Sequence, residues 1–189
     1  MTYTSRTERA IKTAAIFHRT QTRKGKDSLP YVTHLFSVYA ILRDHTDDED
    51  ILIAGLLHDI LEDTSYTAHE LETDFGLRVR SIVEGVTQKT EHNGKKLSWV
   101  EQKELYLERL KSAPKESVMV AAADKLHNFQ SSLEEYEGDV RRFKEDFVLE
   151  GRIRFYQTIV DVISSKLGDI PLVVALRKTY DEYRTFLEG

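Results

Sequence analysis

Ionisable side chains are concentrated at the end of an apolar stretch in the first third of the chain. Residues 51–57 are apolar on every side of a helix. Four ionisable residues follow them: His58, Asp59, Glu62 and Asp63. On a continuous helix these positions share one face, because residues four apart are neighbours at 3.6 residues per turn. Several acids on a buried face are costly without a counter-charge, which a bound cation would supply. The alternative is a helix end that reaches solvent, with His58 as a hydrogen-bonded core histidine.

Two further positions carry metal-binding side chains in apolar surroundings. Asp124 directly follows the apolar run 118–123, and His34 lies one turn after Pro30. Either residue could instead be structural, since an Asp can cap or pair there and a lone His is common in a core. With the first cluster they give two imidazoles and two carboxylates, a mixed set that suits Mn²⁺, Fe²⁺ or Zn²⁺ better than Ca²⁺ or Mg²⁺. Glu62 and Asp63 could then orient or deprotonate a metal-bound water.

The composition excludes several classes of protein. The chain has 189 residues, of which 40% are hydrophobic and 31% are charged, so it can form a core and wholesale disorder is not expected. The absence of cysteine excludes disulfides, thiolate metal sites and a cysteine nucleophile. A polar N-terminus and the lack of any apolar run near ~18 residues predict no signal peptide and no membrane span, hence a cytoplasmic protein.

The charge distribution has two interpretations. The net charge of −5 argues against a broad nucleic-acid-binding surface. Residues 1–26 hold seven Lys or Arg and one acid, whereas residues 44–74 hold eleven acids and no Lys or Arg. Such blocks are often solvated helix faces. Alternatively, the basic groups receive an anionic ligand while the acids hold a cation.

Helical periodicity predicts the elements that must position these residues. We expect an all-α fold, a single domain over residues 1–189 of about eight or nine helices. Capping boxes predict helix starts at Ser5, Thr67 and Ser98. The predicted helices cover roughly 5–20, 30–43, 48–62, 67–76, 77–87, 98–111, 117–133, 144–167 and 171–187. The second, third and seventh of these must therefore converge for one ion to be bound.

Six segments resemble the hydrolase domain of the RelA/SpoT alarmone enzymes, a branch of the HD phosphohydrolase superfamily. They lie within residues 10–130, at 21–25, 30–34, 56–64, 75–76, 85–87 and 123–128. Segments 99–106 and 151–156 are similar to the stand-alone members, the small alarmone hydrolases. The chain ends where the long enzymes would begin their synthetase domain, so the resemblance does not imply alarmone synthesis.

The resemblance implies a Mn²⁺-dependent hydrolase that removes pyrophosphate from the 3′ position of guanosine 3′,5′-bis(diphosphate), ppGpp, and of its pentaphosphate relative. The expected metal ligands are His34, His58, Asp59 and Asp124. Glu62 and Asp63 would handle the attacking water and the leaving group. The partner expected is a small nucleotide, with no nucleic acid and no membrane. The apolar positions are too evenly spread for an oligomer interface to be read from the sequence, so the oligomeric state stays open.

The resemblance also assigns the nucleotide contacts. Arg23 and Lys24 would bind the base or phosphates, and Asn128 would lie near the sugar. His18 and His127 occupy matching segments, and we expect structural roles for them. The loop 25–29 is a residue or two longer than in many relatives, and Gln88 follows Thr87 where a Lys is more usual. Both departures bear on substrate choice.

Two other functions stay open. A hydrolase of the same architecture could act on an adenosine alarmone, a nucleoside monophosphate or NADPH. A non-catalytic alarmone-binding module would have the same fold, but no expected ligand or catalytic carboxylate is missing. A di-iron oxygenase would need a second set of ligands, and the sequence offers none at ligand spacing.

Overall fold

The computed structural model describes residues 3–25, 27–89, 91–92, 95–137, 139–146 and 151–188. Helices dominate these residues, which confirms the all-α class. They are α1 (Ser5–Phe17), α2 (Val32–Arg43), α3 (Glu49–Leu57), α4 (Ile60–Asp63), α5 (Ala68–Phe75), α6 (Leu77–Val86), α7 (Trp99–Ser112), α8 (Lys115–Glu135), α9 (Val140–Asp146), α10 (Arg152–Leu167) and α11 (Pro171–Glu188). Between α6 and α7, the short strands β1 (Glu91–His92) and β2 (Lys95–Lys96) pair antiparallel, in the interval between the helices predicted over 77–87 and 98–111.

Side-chain hydrogen bonds cap the starts of four helices, α1, α3, α5 and α7. The capping boxes at Thr67 and Ser98 are both formed and begin α5 and α7. At α1 the cap is Thr4, one residue before the predicted position, and its hydroxyl accepts a hydrogen bond from the Thr7 N–H at 3.1 Å. Gly76 ends α5 with a φ of 92°, a conformation that glycine adopts without a steric penalty.

The short apolar helix α3 and the long helix α8 lie at the centre of the molecule. Every residue of α3 from Ile51 to Leu57 is buried, as the all-round apolar pattern predicts. Helix α8 packs against α2, α3, α6, α10 and α11, and its run 120–123 is buried. The end of α3 and the middle of α8 are therefore fixed relative to each other, and these are the places that carry the candidate ligands.

The single helix predicted over 48–62 is interrupted at residues 58 and 59. Helix α3 ends at Leu57, and Asp59 caps the short helix α4. The His58 Nδ1 lies 2.9 Å from the Gly55 carbonyl oxygen, the group that a continuous helix would offer to the Asp59 N–H. His58 and Asp59 thus lie at a junction between helices rather than on one uniform helix face.

The C-terminal part also differs from the expectation. The predicted helix over 144–167 begins only at Arg152 and is preceded by α9, while residues 147–150 lie outside the described residues. Both α10 and α11 pack against α8, where the Phe129 ring lies 4.8 Å from that of Tyr183. Whether residues 1–189 form one domain stays a prediction. In the described ranges, no helix combines the length and apolar character that crossing a bilayer requires.

Candidate metal centre

Four side chains from three separate segments converge on one point. The donor atoms of His34, His58 and Asp59 lie within 4.8 Å of one another. The two Nε2 atoms are 3.3 Å apart, and the His58 Nε2 is 3.1 Å from the Asp59 Oδ2. The Asp124 Oδ1 lies 3.2 Å from the His34 Nε2 and 3.7 Å from the His58 Nε2.

These separations fit a shared ion. Donors that each lie about 2.1 Å from one cation are roughly 3.0–3.5 Å apart. Both imidazoles are almost completely buried, with 1% of His34 and 3% of His58 exposed, so water cannot satisfy them fully. The cluster around His34, His58 and Asp59 is therefore a site for a divalent metal ion.

The hydrogen bonds of the two imidazoles set their tautomers. A carbonyl oxygen can only accept, so the His58 Nδ1 carries a proton and donates to Gly55, and Nε2 is the nitrogen that faces the cluster. Burial opposes the charged form of His58, but Asp59 and Asp124 outweigh it and raise the pKa of His58 well above its usual value, so Nε2 becomes available to a metal that displaces its proton. The His34 Nδ1 lies 2.8 Å from the His127 Nδ1. Burial, followed by the nearby His34, lowers the pKa of His127 to about 4, so His127 is neutral and can accept the proton of the His34 Nδ1. The His34 Nε2 is then also free to bind a metal.

The two aspartates are ionised at neutral pH, as metal ligands must be. Burial opposes ionisation of Asp59, but the adjacent His58 outweighs it and lowers the pKa of Asp59 below its usual value. Burial opposes ionisation of Asp124 as well, yet Lys125 and the two imidazoles hold its pKa well below the usual value. Both carboxylates can therefore bind a cation without first losing a proton.

Glu62 and Asp63 line the same cavity as the cluster. The Glu62 Oε2 accepts a hydrogen bond from the Gln88 N–H at 2.8 Å. Burial, and then the charge of Asp59, raise the pKa of Glu62 to about 7, and the same two causes raise the pKa of Asp63. A carboxyl group with a pKa near 7, as Glu62 has, can exchange protons near neutral pH.

Three polar side chains orient the two aspartates, and only one of the three, Asn128, was expected at the site from the sequence. The Tyr31 hydroxyl donates to the Asp59 Oδ2 at 2.5 Å. Lys125 Nζ donates to the Asp124 Oδ2 at 2.6 Å, and the Asn128 amide donates to the Asp124 Oδ1 at 2.5 Å. Tyr31 and Lys125 could have been found from the sequence, since each belongs to a segment already singled out for its resemblance.

The candidate nucleotide residues lie beside the metal cluster. Arg23 Nη2 donates to the Asn128 Oδ1 at 2.9 Å, so Asn128 connects Arg23 to Asp124. Arg23 and Lys24 line an adjoining cavity, and Asn128 lines both that cavity and the one at the cluster. The loop is held in place by hydrogen bonds from the Arg23 N–H to the Leu29 carbonyl and from the Tyr31 N–H to the Gln21 carbonyl.

Other basic and imidazole groups of the N-terminal segment have packing roles. Arg6 makes ion pairs with Glu49 and Asp50, both at 2.7 Å, which supports the solvated-face interpretation for this part of the charge pattern. His18 is buried, lies 2.6 Å from the Gln21 side-chain oxygen and stacks on the Tyr31 ring. Lys26, which belongs to the same basic block, lies outside the described residues.

Lys103 also lines the cavity, although it was not among the site residues expected from the sequence. Along α7, positions 99, 103, 106 and 110 form one stripe, and Tyr106 and Leu110 on it are buried. A lysine at a position that periodicity assigns to the buried face is the signal that could have identified it.

Comparisons with known proteins agree with this site. A model of the HD domain family matches residues 10–147. A guanosine-3′,5′-bis(diphosphate) 3′-pyrophosphohydrolase, MESH1, of Xenopus tropicalis is 33% identical over 162 residues, which are 84% of this chain and 83% of that protein. The human protein of the same name is 39% identical over 119 residues, 62% of this chain and 64% of its own length.

A longer relative matches over almost the whole chain. A GTP pyrophosphokinase of Streptomyces coelicolor is 32% identical over 180 residues, which are 93% of this chain. The matched region spans only 20% of that protein, so most of the longer protein has no counterpart here.

Solved structures share the fold. A metazoan ortholog of SpoT, described as hydrolysing ppGpp, superposes with a TM-score of 0.80 at 26% identity and covers 96% of this chain and 98% of its own. A crystal structure from Listeria monocytogenes gives a TM-score of 0.61 at 26% identity, over 88% of this chain and 97% of its own. Family model, relatives and site geometry agree: the chain belongs to the HD domain family.

Proposed function

We propose that this chain is a metal-dependent hydrolase that cleaves ppGpp and pppGpp at the 3′ position, releasing GDP or GTP and pyrophosphate. The observation that carries the proposal is the convergence of two imidazoles and two aspartates beside two carboxyls whose pKa values are raised. The substrate is supported by the Xenopus relative, which carries this activity in its name and covers most of the chain.

The proposed ligands are His34, His58, Asp59 and Asp124, and the proposed ion is Mn²⁺. A mixed set of nitrogen and oxygen donors suits a transition ion, and Fe²⁺ or Zn²⁺ could replace Mn²⁺. When bound, such an ion polarises a phosphoryl oxygen and lowers the pKa of a coordinated water. The buried aspartates match this role because both are ionised at neutral pH.

We assign proton transfer to Glu62 and Asp63. A carboxylate with a pKa near 7 can take the proton of the attacking water while remaining largely available in its ionised form. The water oxygen forms a bond to phosphorus, the bond from phosphorus to the 3′ oxygen breaks, and that oxygen takes up a proton. The Gln88 N–H fixes the Glu62 carboxylate for this step, and Asp63 lies beside it on α4.

Arg23, Lys24 and Asn128 are the proposed nucleotide contacts. The Arg23 guanidinium is planar and can stack on a base or bind phosphate, whereas Lys24 acts as a point charge. Their cavity adjoins the metal cluster through Tyr31, Asn128 and Tyr156, which line both. The substrate is a water-soluble nucleotide, and we propose a cytoplasmic location on that ground.

A nucleotide panel tests the function. The Mn²⁺-loaded protein is incubated with ppGpp, pppGpp, an adenosine alarmone, a nucleoside monophosphate and NADPH, and the products are separated by ion-exchange chromatography. We expect GDP and pyrophosphate in equal amounts from ppGpp. If the Mn²⁺-loaded protein cleaves none of these nucleotides across neutral pH, the proposal is contradicted. If it cleaves another nucleotide faster than ppGpp, the proposed substrate is wrong but the proposed class of reaction, phosphate ester or anhydride hydrolysis, stands.

A further inference from the structure

One cation on the cavity wall has no acidic partner among the described residues. Lys103 Nζ donates a hydrogen bond to the neutral Gln88 Oε1 at 2.5 Å, and no described carboxylate lies within ion-pair distance of it. Its ammonium lies 5.1 Å from the centre of the Phe155 ring and 5.8 Å from that of Trp99. Lys125, by contrast, pairs with the Asp124 carboxylate at 2.6 Å. The charge of Lys103 is therefore available to an anion that enters the cavity.

Gln88 joins this cation to the catalytic carboxylate. Its backbone N–H donates to the Glu62 Oε2 at 2.8 Å, while its side-chain oxygen accepts from Lys103. Its amide nitrogen donates to the Gln102 side chain at 3.3 Å, and this bond turns the oxygen toward Lys103. Lys103 and Glu62 are thus held in a fixed relation by one residue.

A half-buried ammonium in this position is costly to the free protein. Burial, followed by the charge of Lys125, lowers the pKa of Lys103 to about 8, so most of it remains charged at pH 7. A neutral amide and two aromatic rings compensate only part of the lost hydration. A cation kept in a cavity under these conditions is complementary to an anionic group of a ligand.

We propose that Lys103 binds a terminal phosphate of the substrate's diphosphate groups and that Gln88 holds the ammonium in position for it. This inference rests on the proposed function, because it takes the substrate to carry diphosphates at both the 3′ and the 5′ positions. The terminal phosphate of either group presents the same chemistry to Lys103. Arg23 and Lys24 would reach the base or phosphates from the adjoining cavity, and Lys103 adds a phosphate contact from the wall of the cavity at the metal cluster.

The test compares Lys103→Met with Lys111→Met, which removes the same charge from an exposed position of the same helix. Lys103→Met should lower kcat/KM for ppGpp by about 10- to 100-fold, the loss expected for a hydrogen bond between charged groups. Lys103→Arg should restore part of it. Because Lys103→Met removes a half-buried charge without an acidic partner, its unfolding temperature should not fall below that of the wild type.

Truncated substrates identify the phosphate and separate binding from a structural effect. If Lys103 binds the 3′ terminal phosphate, Lys103→Met and wild type should be equal on guanosine 5′-diphosphate 3′-monophosphate. If it binds the 5′ terminal phosphate, they should be equal on guanosine 5′-monophosphate 3′-diphosphate. No loss on ppGpp overturns the inference, and so does a loss of the same size on all three substrates.

The inference can fail separately from the proposed function. If the wild type does not hydrolyse ppGpp, the proposed function fails, and equilibrium dialysis of labelled pyrophosphate at a fixed free Mn²⁺ concentration still tests Lys103. Weaker binding to Lys103→Met than to Lys111→Met supports the inference, whereas equal binding overturns it.

Discussion

At the scale of single residues, the site uses carboxyl groups in two different electrostatic environments. Asp59 and Asp124 lie against imidazoles or a lysine that outweigh burial, and their pKa values are lowered. Among the residues that the structure describes, none pairs with Glu62 in this way, so burial and the neighbouring Asp59 raise its pKa to about 7. Carboxyl groups with lowered pKa values are suited to bind a cation, and those with raised pKa values are suited to transfer protons.

The first prediction separates these two roles by substitution. Asp59→Ala should abolish both Mn²⁺ binding and turnover, because it removes a donor from the cluster. Glu62→Gln should retain Mn²⁺ but lose about 10²- to 10⁴-fold in kcat, the contribution typical of a general base. Calorimetry of Mn²⁺ binding and steady-state kinetics measure the two effects. Equal loss of metal in both variants would make Glu62 a ligand.

The pH dependence of the reaction provides the second prediction. The active form of Glu62 is ionised, so kcat/KM should rise with pH up to a pKa at or below about 7, since a bound cation favours the carboxylate. The Glu62→Gln variant should lack this rise. If kcat/KM of the Glu62→Gln variant rises over the same pH range and by the same factor, the titrating group is a residue other than Glu62.

His127 provides the third prediction. Its Nδ1 lies 2.8 Å from the His34 Nδ1, and as a neutral imidazole it can accept that proton and so keep the His34 Nε2 free for the metal. His127→Phe removes that acceptor and should weaken Mn²⁺ binding by about 10- to 100-fold, the usual effect of losing such a partner. His127→Asn retains an acceptor oxygen and serves as the control. Unchanged affinity in His127→Phe would show that the contact does not hold the ligand.

At the scale of elements, local sequence signals predicted the helix starts better than the helix interiors. The capping boxes of α5 and α7 are confirmed because they depend only on residues three apart. The break after Leu57 was missed, since it involves a bond between the His58 ring and the Gly55 carbonyl that no periodicity reveals. The exposure of Lys103 to the cavity depends on which helices surround α7, and this too is set by tertiary packing.

The crossing of α6 and α8 gives a prediction at this scale. A Cβ added at Gly85 would overlap the Ser117 hydroxyl and lie 2.8 Å from the Ser117 Cβ. Ser117 is buried and donates to the Ile82 carbonyl at 2.9 Å, so it cannot move away freely. Gly85→Ala should therefore lower the free energy of unfolding by about 1–3 kcal/mol, measured by urea denaturation. Ser81→Ala, at an exposed position of α6, is the control. If the Gly85→Ala variant is as stable as the Ser81→Ala variant, the close contact between Gly85 and Ser117 is contradicted.

At the scale of the whole molecule, the site exists only when distant segments are folded together. The residues of the cluster were predictable, because residue types and a family resemblance identify them, and the structure brings them together. Tyr31 and His127 also lie in segments that the resemblance identifies, but the groups they contact were not predictable, since the bonds from Tyr31 to Asp59 and from His127 to His34 join residues 28 and 93 positions apart. Metal binding and folding should consequently be linked.

This linkage predicts stabilisation by the metal. At a free Mn²⁺ concentration about 100 times its Kd, the free energy of unfolding should rise by about 2.7 kcal/mol, and chelation should reverse the increase. The Asp59→Ala variant should show no such rise. Denaturation with and without chelator measures the difference, and an equal rise in the variant would indicate that Mn²⁺ binds elsewhere.

The most direct measurement is anomalous diffraction at the manganese absorption edge from crystals grown with Mn²⁺. We expect one strong peak at about 2.0–2.6 Å from the Nε2 atoms of His34 and His58 and from carboxylate oxygens of Asp59 and Asp124. A crystal that contains Mn²⁺ at other positions, with no peak among these four side chains, would contradict this expectation.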